Sequence, residues 1–266
     1  MGTARSRIMS FAGKTAIITG ASSGIGKLIA EGLARGGANV VLAARSAEQL
    51  NELAAAINQT GAKALAVATD VSDAQAVQAL VEQAVATFGR VDLLINNAGY
   101  GVFDSIEQIE WKHIEGMITV NYFGAMHCIR AVLPVMRKQN SGHIVNVASV
   151  AGLVSTHNMG SYSASKHALM AASEALQIEL RGTPIKCSLV CPAPIATPFF
   201  ESADFNKMSR FASIFGMLKP HDVTEIVLHV AANPTTQRVI PRIYHVFGVA
   251  YRIFPAFTRW LVKMVG

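Results

Sequence analysis

The sequence contains few cysteines, and their spacing does not suggest a cross-link. Only three occur in 266 residues. Cys187 and Cys191 lie four residues apart in a strand-like run, about 13 Å at the rise of a strand, which is too far for a disulfide. Cys128 falls in a helical pattern, and no cluster of metal ligands is present, so we expect no metal. Reduced thiols favour a cytoplasmic protein.

Long uncharged hydrophobic runs are also missing. No stretch of about 18 apolar residues occurs, so we expect no transmembrane helix. The N-terminus, MGTARSRIMS, has two arginines but no apolar segment, which argues against a signal peptide. Gly2 and Ser6 fit the loose myristoylation pattern, although a frayed basic tail over residues 1–10 is the simpler interpretation.

Negative charge is scarce near the C-terminus. The formal charge is +6, yet residues 1–206 hold 15 basic and 15 acidic residues, which cancel. Residues 207–266 hold 8 basic and 2 acidic residues and therefore carry the whole excess. We expect no nucleic-acid partner, and we consider this basic region again with the C-terminal tail.

Hydrophobic residues, in contrast, are plentiful at 51%, enough for a large core. Apolar strand-like runs alternate with helical patterns, and strands that are apolar throughout belong in a parallel sheet covered on both faces. We find no linker or repeat. The pattern predicts an α/β fold: a Rossmann-type doubly wound parallel sheet in a single domain over residues 11–243. The predicted strands are 14–19, 39–44, 64–70, 91–99, 142–149 and 184–194, and two of the predicted helical stretches are 107–139 and 161–176.

The turn between the first strand and the first helix reads TGASSGIG, residues 19–26. Glycines in such a turn permit positive φ and close backbone approach, and they direct helix N–H groups at a diphosphate. A plain tight turn is the alternative, but the strand before it and the helix after it favour a dinucleotide site. The candidate contacts are Gly20, Ser22, Ser23, Gly24, Ile25 and Gly26.

The second strand ends in LAARS, without the acid that usually contacts the ribose 2′-hydroxyl of NAD. Arg45 stands there instead and suits a 2′-phosphate. A solvated arginine is the alternative, although a cation in the first helical turn opposes the helix dipole. The sequence therefore favours NADP(H) over NAD(H).

Tyr162 and Lys166 are four residues apart at the start of a helical pattern, so their side chains share one helix face. With TGASSGIG, NNAG at 96–99, VN at 120–121, Ser149 and YSASK at 162–166 in this order, the sequence resembles the short-chain dehydrogenase/reductase family over about residues 11–200. The resemblance implies an enzyme that acts on CH–OH donors with NAD(P) as acceptor.

The resemblance implies four catalytic residues. Tyr162 is the general acid and base, and Lys166 is expected to lower its pKa and to bind the nicotinamide ribose. Ser149 would hydrogen-bond the substrate oxygen as charge develops. Asn121 would hold a water that continues the proton relay from Lys166.

The same resemblance implies further cofactor contacts. Ala193 replaces the glycine that the family has after Pro192, and because alanine resists positive φ, we expect a different local turn there. Tyr162 and Lys166 belong to the cofactor set as well. The other implied contacts are Asp70, Val71, Asn97, Ala98, Gly99, Pro192, Ile195 and Thr197.

Residues 197–220 correspond to the family's substrate lid. Met208, Phe211, Phe215 and Leu218 recur at three- and four-residue steps, which predicts an amphipathic helix. An apolar inner face implies a lipophilic substrate of steroid, retinoid or long-chain acyl type, unless these residues only pack the lid. His157 faces either the cleft or the solvent.

Two other functions stay open. The chain could be a catalytically weak dinucleotide-dependent binding or regulatory protein on the same fold, since fold does not fix function. A 3-oxoacyl reductase of lipid synthesis would differ only in its substrate. The joint presence of Ser149, Tyr162 and Lys166 favours an enzyme.

A homo-oligomer, most simply a dimer, is expected from the helices that hold Asn121 and Tyr162. The second of these carries small residues that permit close helix approach, and the family resemblance implies the same contact. They are Ala164, Ala168, Ala171, Ala172 and Ala175.

The tail at 244–266 lies beyond the resemblance. Pro255 divides it, and Tyr244, Phe247, Tyr251 and Phe254 recur at helical spacing. Arg252, Arg259 and Lys263 would share the other face of a continuous helix. This pattern is typical of a helix in a membrane interface. Packing on the domain or across a subunit contact is the alternative.

Overall fold

The computed structural model describes residues 9–196 and 217–265. Within these residues, a parallel sheet of seven strands has the order β3-β2-β1-β4-β5-β6-β7. The chain runs outward from β1 to β3 and then returns to β4 on the other side of β1, which opens a crevice at their carboxyl ends. The strands are β1 (Thr15–Thr19), β2 (Asn39–Ala44), β3 (Ala64–Ala68), β4 (Leu93–Asn96), β5 (Gly142–Val147), β6 (Ile185–Pro192) and β7 (Gln237–Ile240).

Helices cover both faces of the sheet, and the predicted doubly wound fold is confirmed. They are α1 (Gly24–Arg35), α2 (Ala47–Gln59), α3 (Ala74–Phe88), α4 (Trp111–Ile118), α5 (Ala125–Gln139), α6 (Gly160–Glu179), α7 (Pro220–Ala232), α8 (Ile243–Ile253) and α9 (Pro255–Val265). Apolar side chains of α1, α2 and α7 pack on one face, and those of α3, α5 and α6 pack on the other.

The sequence of the central strands explains their position. Every residue of β1 and of β4 is buried, as expected for strands between two helical layers. In β3, at the edge of the sheet, only Val67 is buried. The continuous apolar runs therefore mark the middle of the sheet, where both faces need apolar side chains.

The structure differs from the predicted elements in a few places. Several predicted strands extend too far, because their last residues leave the sheet to line the crevice. The helical stretch predicted at 107–139 begins only at Trp111, and a π-helical segment, Thr119–Gly124, separates α4 from α5. Neither α7 nor β7 was predicted.

The described chain ends in two short helices. They are separated at Phe254, whose ψ of 62° leaves the helical range, and Pro255 is the first residue of α9. Pro255 divides the tail as the sequence indicates, so α8 and α9 do not form a continuous helix. None of the helices in the described ranges combines the length and the hydropathy that crossing a bilayer requires.

Candidate active site

The glycine turn lies between β1 and α1 at the base of the crevice. Gly20 and Gly24 have φ values of +67° and +55°, which residues with a Cβ rarely adopt. At Gly26 an added Cβ would overlap the carbonyl oxygen of Gly20 and crowd the Asn97 amide. Only glycine at position 26 therefore permits the helix to approach the turn this closely.

The amino end of α1 is open to an anion. Ser23 occupies the N-cap position, but within the described residues its side chain makes no capping hydrogen bond, and the first turn contains no acid. The N–H groups of a first helical turn have no partner inside the helix and attract negative charge. Together with the space at Gly26, these features fit the diphosphate of a dinucleotide.

The segment that follows β4 is fastened to the end of β1. The Asn97 side chain donates to the carbonyl oxygens of Thr19 and Gly20 at 3.0 and 3.3 Å. The Thr19 hydroxyl accepts from the backbone N–H groups of Asn97 and Ala98, both at 3.0 Å. Sequence analysis missed Thr19, although its position at the end of β1 beside the glycine turn could have indicated it.

A cavity of about 530 Å³ occupies the crevice. Its lining includes every predicted cofactor residue that the structure describes, together with Ser149. Thr197 and the rest of the predicted lid up to residue 216 lie outside the described residues. Leu218, the last position of the predicted lid helix, forms an isolated β-bridge with Ile195 instead. The predicted residues that line the cavity are Gly20, Ser22, Ser23, Gly24, Ile25, Gly26, Arg45, Asp70, Val71, Asn97, Ala98, Gly99, Ser149, Tyr162, Lys166, Pro192 and Ile195.

Tyr162 lies in the first turn of α6 with only 6% of its surface exposed. The Phe103 ring meets the phenol ring edge-on, with 5.6 Å between the two centroids. Burial raises the pKa of Tyr162 to about 12, against the opposing effect of a hydrogen bond with Ser149. At neutral pH the phenol therefore holds its proton.

Lys166 lies one turn further along the same helix and is also buried. Its Nζ is 5.9 Å from the Tyr162 ring centroid and donates to the Val147 carbonyl oxygen at 3.4 Å. Burial lowers the pKa of Lys166 to about 8. The shared helix face predicted for the two side chains is present.

Burial outweighs the expected effect of Lys166 on the pKa of Tyr162. We expected the ammonium to lower the pKa of Tyr162, whereas that pKa is raised. The reason is desolvation, since removing both groups from water penalises the phenolate and the ammonium at once. The structure thus describes a protonated acid rather than a ready base.

Ser149 follows β5 and begins a short 3₁₀ turn, Val150–Gly152. Its Oγ accepts from the Ala151 N–H at 3.1 Å, which leaves the hydroxyl proton to be donated towards Tyr162 or a substrate. The carboxyl end of β5 and the first turn of α6 therefore bring Ser149 and Tyr162 together, although thirteen residues separate them.

Asn121 occupies the π-helical segment and does not line the cavity. Its Nδ2 donates to the Tyr100 carbonyl oxygen and to the Ser165 hydroxyl, both at 2.9 Å. Its Oδ1 accepts from the Tyr100 N–H at 2.9 Å. This side chain fastens the loop after β4 to α6, and the part of Asn121 in holding a relay water stays a prediction.

Arg45 is exposed at the opposite end of the cavity, after β2. Within the described ranges no carboxylate forms an ion pair with it. Two hydrogen bonds from Ser72 hold the pKa of Asp70 below its usual range, and the charge of Arg45 adds a smaller effect. Arg45 therefore lies beside Asp70 with its guanidinium free to meet an anion.

The end of the cavity beyond Tyr162 has a different lining. Val154, Met159, Pro194 and Tyr244 contribute mostly apolar surface there. Sequence analysis missed Met159, which precedes Tyr162 by three residues, and Tyr244, which it assigned to the tail. His157 is exposed and does not line this cavity.

Comparison with known proteins gives consistent results. The family described as short chain dehydrogenase matches residues 14–207. An uncharacterized oxidoreductase of Staphylococcus epidermidis is 34% identical over 222 residues, which cover 84% of this chain and 92% of the relative. One of Staphylococcus aureus strain MW2 is 36% identical over 222 residues, with the same coverage of both chains.

Two solved structures share the fold. A short chain dehydrogenase/reductase from Burkholderia phymatum in complex with NAD has 33% identity and a TM-score of 0.84, covering 92% of this chain and 94% of its own. An alcohol dehydrogenase from Thermococcus sibiricus complexed with 5-hydroxy-NADP has 29% identity and a TM-score of 0.77, with 87% and 97% covered.

Proposed function

Since this chain belongs to the short-chain dehydrogenase family, we propose that it is an NADP(H)-dependent oxidoreductase that interconverts a carbonyl group and a secondary alcohol. One observation carries the proposal. Tyr162 is buried above Lys166 and hydrogen-bonded with Ser149, inside the cavity that the glycine turn opens. A chain that only bound a dinucleotide would not need this proton donor.

The side chains suit a carbonyl reduction. When bound, the dinucleotide supplies a hydride to the carbonyl carbon. Tyr162 holds the proton that passes to the carbonyl oxygen, because its pKa of about 12 keeps the phenol protonated until that oxygen becomes more basic. Ser149 donates a hydrogen bond to the same oxygen as it gains charge, and Lys166 stabilises the phenolate that remains.

Arg45 supports NADP(H) as the cofactor. It is exposed at the cavity end beyond the glycine turn, and the strand that precedes it supplies no acid for a ribose 2′-hydroxyl. A guanidinium matches a phosphate in charge and in geometry. The Burkholderia structure holds NAD and the Thermococcus structure holds an NADP derivative, so membership of the family leaves the choice to local residues such as Arg45.

The apolar end of the cavity supports a lipophilic substrate. Val154, Met159, Ile195 and Tyr244 line the same cavity as Tyr162. These side chains offer a steroid, retinoid or long-chain acyl group an apolar surface, and burying apolar area there stabilises the complex.

A substrate panel tests the proposal. The full chain is mixed with NADPH and a steroid ketone, a retinoid aldehyde, a long-chain 3-oxoacyl thioester or a small water-soluble ketone, and the loss of NADPH absorbance is followed. We expect the highest kcat/KM with a lipophilic compound and a preference for NADPH over NADH. Tight NADPH binding without turnover of any compound would favour a binding protein and overturn the proposal.

A dimer built on α5 and α6 remains part of this proposal. The outer face of α6 exposes Ala164, Ala171, Ala175 and Ile178 at helical spacing, and small residues allow two such helices to approach closely. Light scattering on the full chain should give twice the mass of 28.3 kDa. A single monomeric mass at micromolar concentration would contradict the dimer.

An intracellular location is proposed as well. All three cysteines are free and buried, an arrangement that suits the reducing conditions of the cytoplasm. Non-reducing electrophoresis of protein extracted under alkylating conditions would reveal a disulfide, and its presence would count against this location.

A further inference from the structure

Exposed apolar side chains are concentrated in the C-terminal helices. The described residues include thirteen large apolar side chains that are exposed, and eight of these lie between residues 243 and 264. We call these eight residues the C-terminal patch. They are Ile243, Val246, Val249, Ile253, Phe254, Phe257, Trp260 and Met264.

Helix α8 is apolar on two opposite sides. Tyr244 and Gly248 face the domain, where Tyr244 is buried and Gly248 lies against Leu153. Val246 and Ile253, 63% and 62% exposed, point the other way. The inner side packs on the domain, whereas the outer side is largely exposed.

Helix α9 continues the patch. Phe257, Trp260 and Met264 recur at three- and four-residue steps, and each is more than half exposed. The Phe257 and Trp260 rings stack with 6.2 Å between centroids. Aromatic side chains of this kind, tryptophan above all, favour the boundary between water and lipid.

This face is not the one that the sequence suggested. Of the aromatic row at 244, 247, 251 and 254, Tyr244 is buried, Phe247 and Tyr251 are half-buried, and only Phe254 is exposed. The row therefore packs largely on the domain. The outer face consists instead of aliphatic residues on α8 and of Phe257, Trp260 and Met264 on α9.

The charges around the patch have a single sign. From Ile226 to the C-terminus the sequence contains five cations, at positions 238, 242, 252, 259 and 263, and no acid. Arg242, at the N-cap position of α8, and Arg252, in its last turn, are both exposed. A partner that covers these apolar side chains must also accept uncompensated positive charge.

A second copy of the chain does not meet this condition. A two-fold contact joins identical surfaces, so patch against patch would bring the cations together with no acid of the same segment to neutralise them. An anionic bilayer supplies apolar depth and negative charge at once.

We propose that the C-terminal patch is a peripheral membrane-binding surface whose ligand is an anionic lipid bilayer. The patch enters the headgroup region while Arg242 and Arg252 contact lipid phosphates. Tyr244, on the inner side of the same helix, lines the cavity, so binding would hold the cavity within about one helix diameter of the lipid. The binding itself does not depend on the catalytic proposal.

Flotation with vesicles tests the inference on the full chain. One set of vesicles is pure phosphatidylcholine, and the other contains equal parts of phosphatidylcholine and phosphatidylglycerol. We expect the protein to float with the anionic vesicles at low salt, to remain below with the neutral ones, and to be released as salt screens the charges.

Two variants and two matched controls separate the apolar and the charged parts. Val246→Ser with Trp260→Ser should abolish flotation. Ile106→Ser with Trp111→Ser changes side chains that are even more exposed but lie outside the patch, and it should leave flotation unchanged. Arg242→Gln with Arg252→Gln should weaken partitioning more than tenfold, since each surface cation contributes about 1 kcal/mol. Arg137→Gln with Lys138→Gln on α5 is the charge control.

The outcomes are decisive without any measurement of turnover. Equal flotation of the patch variant and its control would overturn the inference, and so would failure of the unmodified chain to bind either vesicle. If the unmodified chain bound neither vesicle and the patch variant lost a subunit contact in light scattering, the patch would be an interface between copies. Circular dichroism of each variant verifies folding, and a folded patch variant that fails to float supports the membrane surface.

Discussion

The two ends of the cavity are built in different ways. Around the glycine turn, the lining residues are mostly small, and the main chain there is fixed by contacts such as those of Asn97 with Thr19 and Gly20. Beyond Tyr162, the surface consists of side chains such as Met159 and Tyr244, one of them on a helix whose far side is exposed. The first end suits one ligand of constant shape. At the second end, substitution of side chains can change which substrate binds.

The largest effect is expected from a substitution of Tyr162, where the two ends of the cavity meet. Tyr162→Phe keeps the ring and its contact with Phe103 but removes the proton donor. General acid catalysis contributes about 10²- to 10⁴-fold, so turnover should fall by that factor while NADPH affinity, measured by fluorescence, is retained. Near-normal turnover would show that the reaction does not need this hydroxyl.

The glycine end should tolerate little change. Gly26→Ala adds a Cβ that overlaps the Gly20 carbonyl oxygen, and because the obstacle is backbone, relief requires the whole turn to move. We expect a loss of about 3 kcal/mol in the free energy of unfolding, together with weaker NADPH binding. The measurements are urea denaturation and cofactor titration.

Gly61→Ala is the matched control for this substitution. Its φ is +86°, but nothing lies within 4 Å of the added Cβ, so it should cost about 1 kcal/mol of strain and leave cofactor affinity unchanged. Equal behaviour of the two variants would show that glycine flexibility, rather than close approach, matters at Gly26.

The amino end of β5, an interior strand, provides a reference that belongs to neither end of the cavity. His143 is buried between the Ala231 carbonyl oxygen and the Ser188 hydroxyl, and burial lowers its pKa from 6.5 to about 4. Between these values the unfolded chain binds a proton that the folded chain does not, so stability falls as the pH falls from 6.5 to 4. The loss approaches about 3 kcal/mol at the acid end.

Urea denaturation of wild type and His143→Gln at both pH values checks this expectation. The difference between the two proteins isolates the imidazole from the carboxylates, which also titrate in acid. The wild type should lose more stability on acidification than the variant. Parallel losses would assign the acid sensitivity to other groups.

At the outer limit of the cofactor end, the expected contact with the cofactor comes from a side chain, that of Arg45, and not from the main chain. Arg45→Ala removes a charged hydrogen bond to a 2′-phosphate, worth about 1.5–3 kcal/mol, or roughly ten- to a hundredfold. We expect the Kd for NADPH to rise by that factor and the Kd for NADH to remain unchanged. An equal loss for both cofactors would remove Arg45 from cofactor selection.

The smallest effect is expected on the outer face of α8. Val246→Ser with Ile253→Ser changes side chains that are more than three-fifths exposed, and surface substitutions usually alter stability by within about 0.5 kcal/mol. Thermal unfolding should therefore be nearly unchanged. A large drop in Tm would mean that this face is covered by another part of the protein.

The same contrast explains what the sequence could predict. The glycine turn, NNAG and the Tyr162–Lys166 pair depend on local spacing, so their joint position in one cavity could be inferred. The raised pKa of Tyr162 could not be inferred from spacing. Burial depends on the whole surrounding structure, and here its effect on the pKa outweighs that of the ammonium. The contacts of Asn121 with Tyr100 and Ser165 escaped prediction for the same reason.

The packing of the C-terminal helices was harder still to predict from the sequence. Spacing identified Pro255 as a break, but an aromatic row at helical spacing fits a protein core and a lipid surface equally well. Only the position of Tyr244 against the domain decides between them for that row. Helix α7 and strand β7 lack motifs, and their assignment required the complete sheet.

The three buried thiols have a practical consequence for studying motion. Cys128, Cys187 and Cys191 are between 0% and 6% exposed, so a thiol reagent can reach them only when the surrounding structure opens. Each cysteine samples a different region: the first turn of α5, the first half of β6, and the end of β6 near Lys166. The rates at which the three react would therefore time separate opening events within one chain. Slower reaction of Cys191 on adding NADPH would register ligand binding without an introduced label.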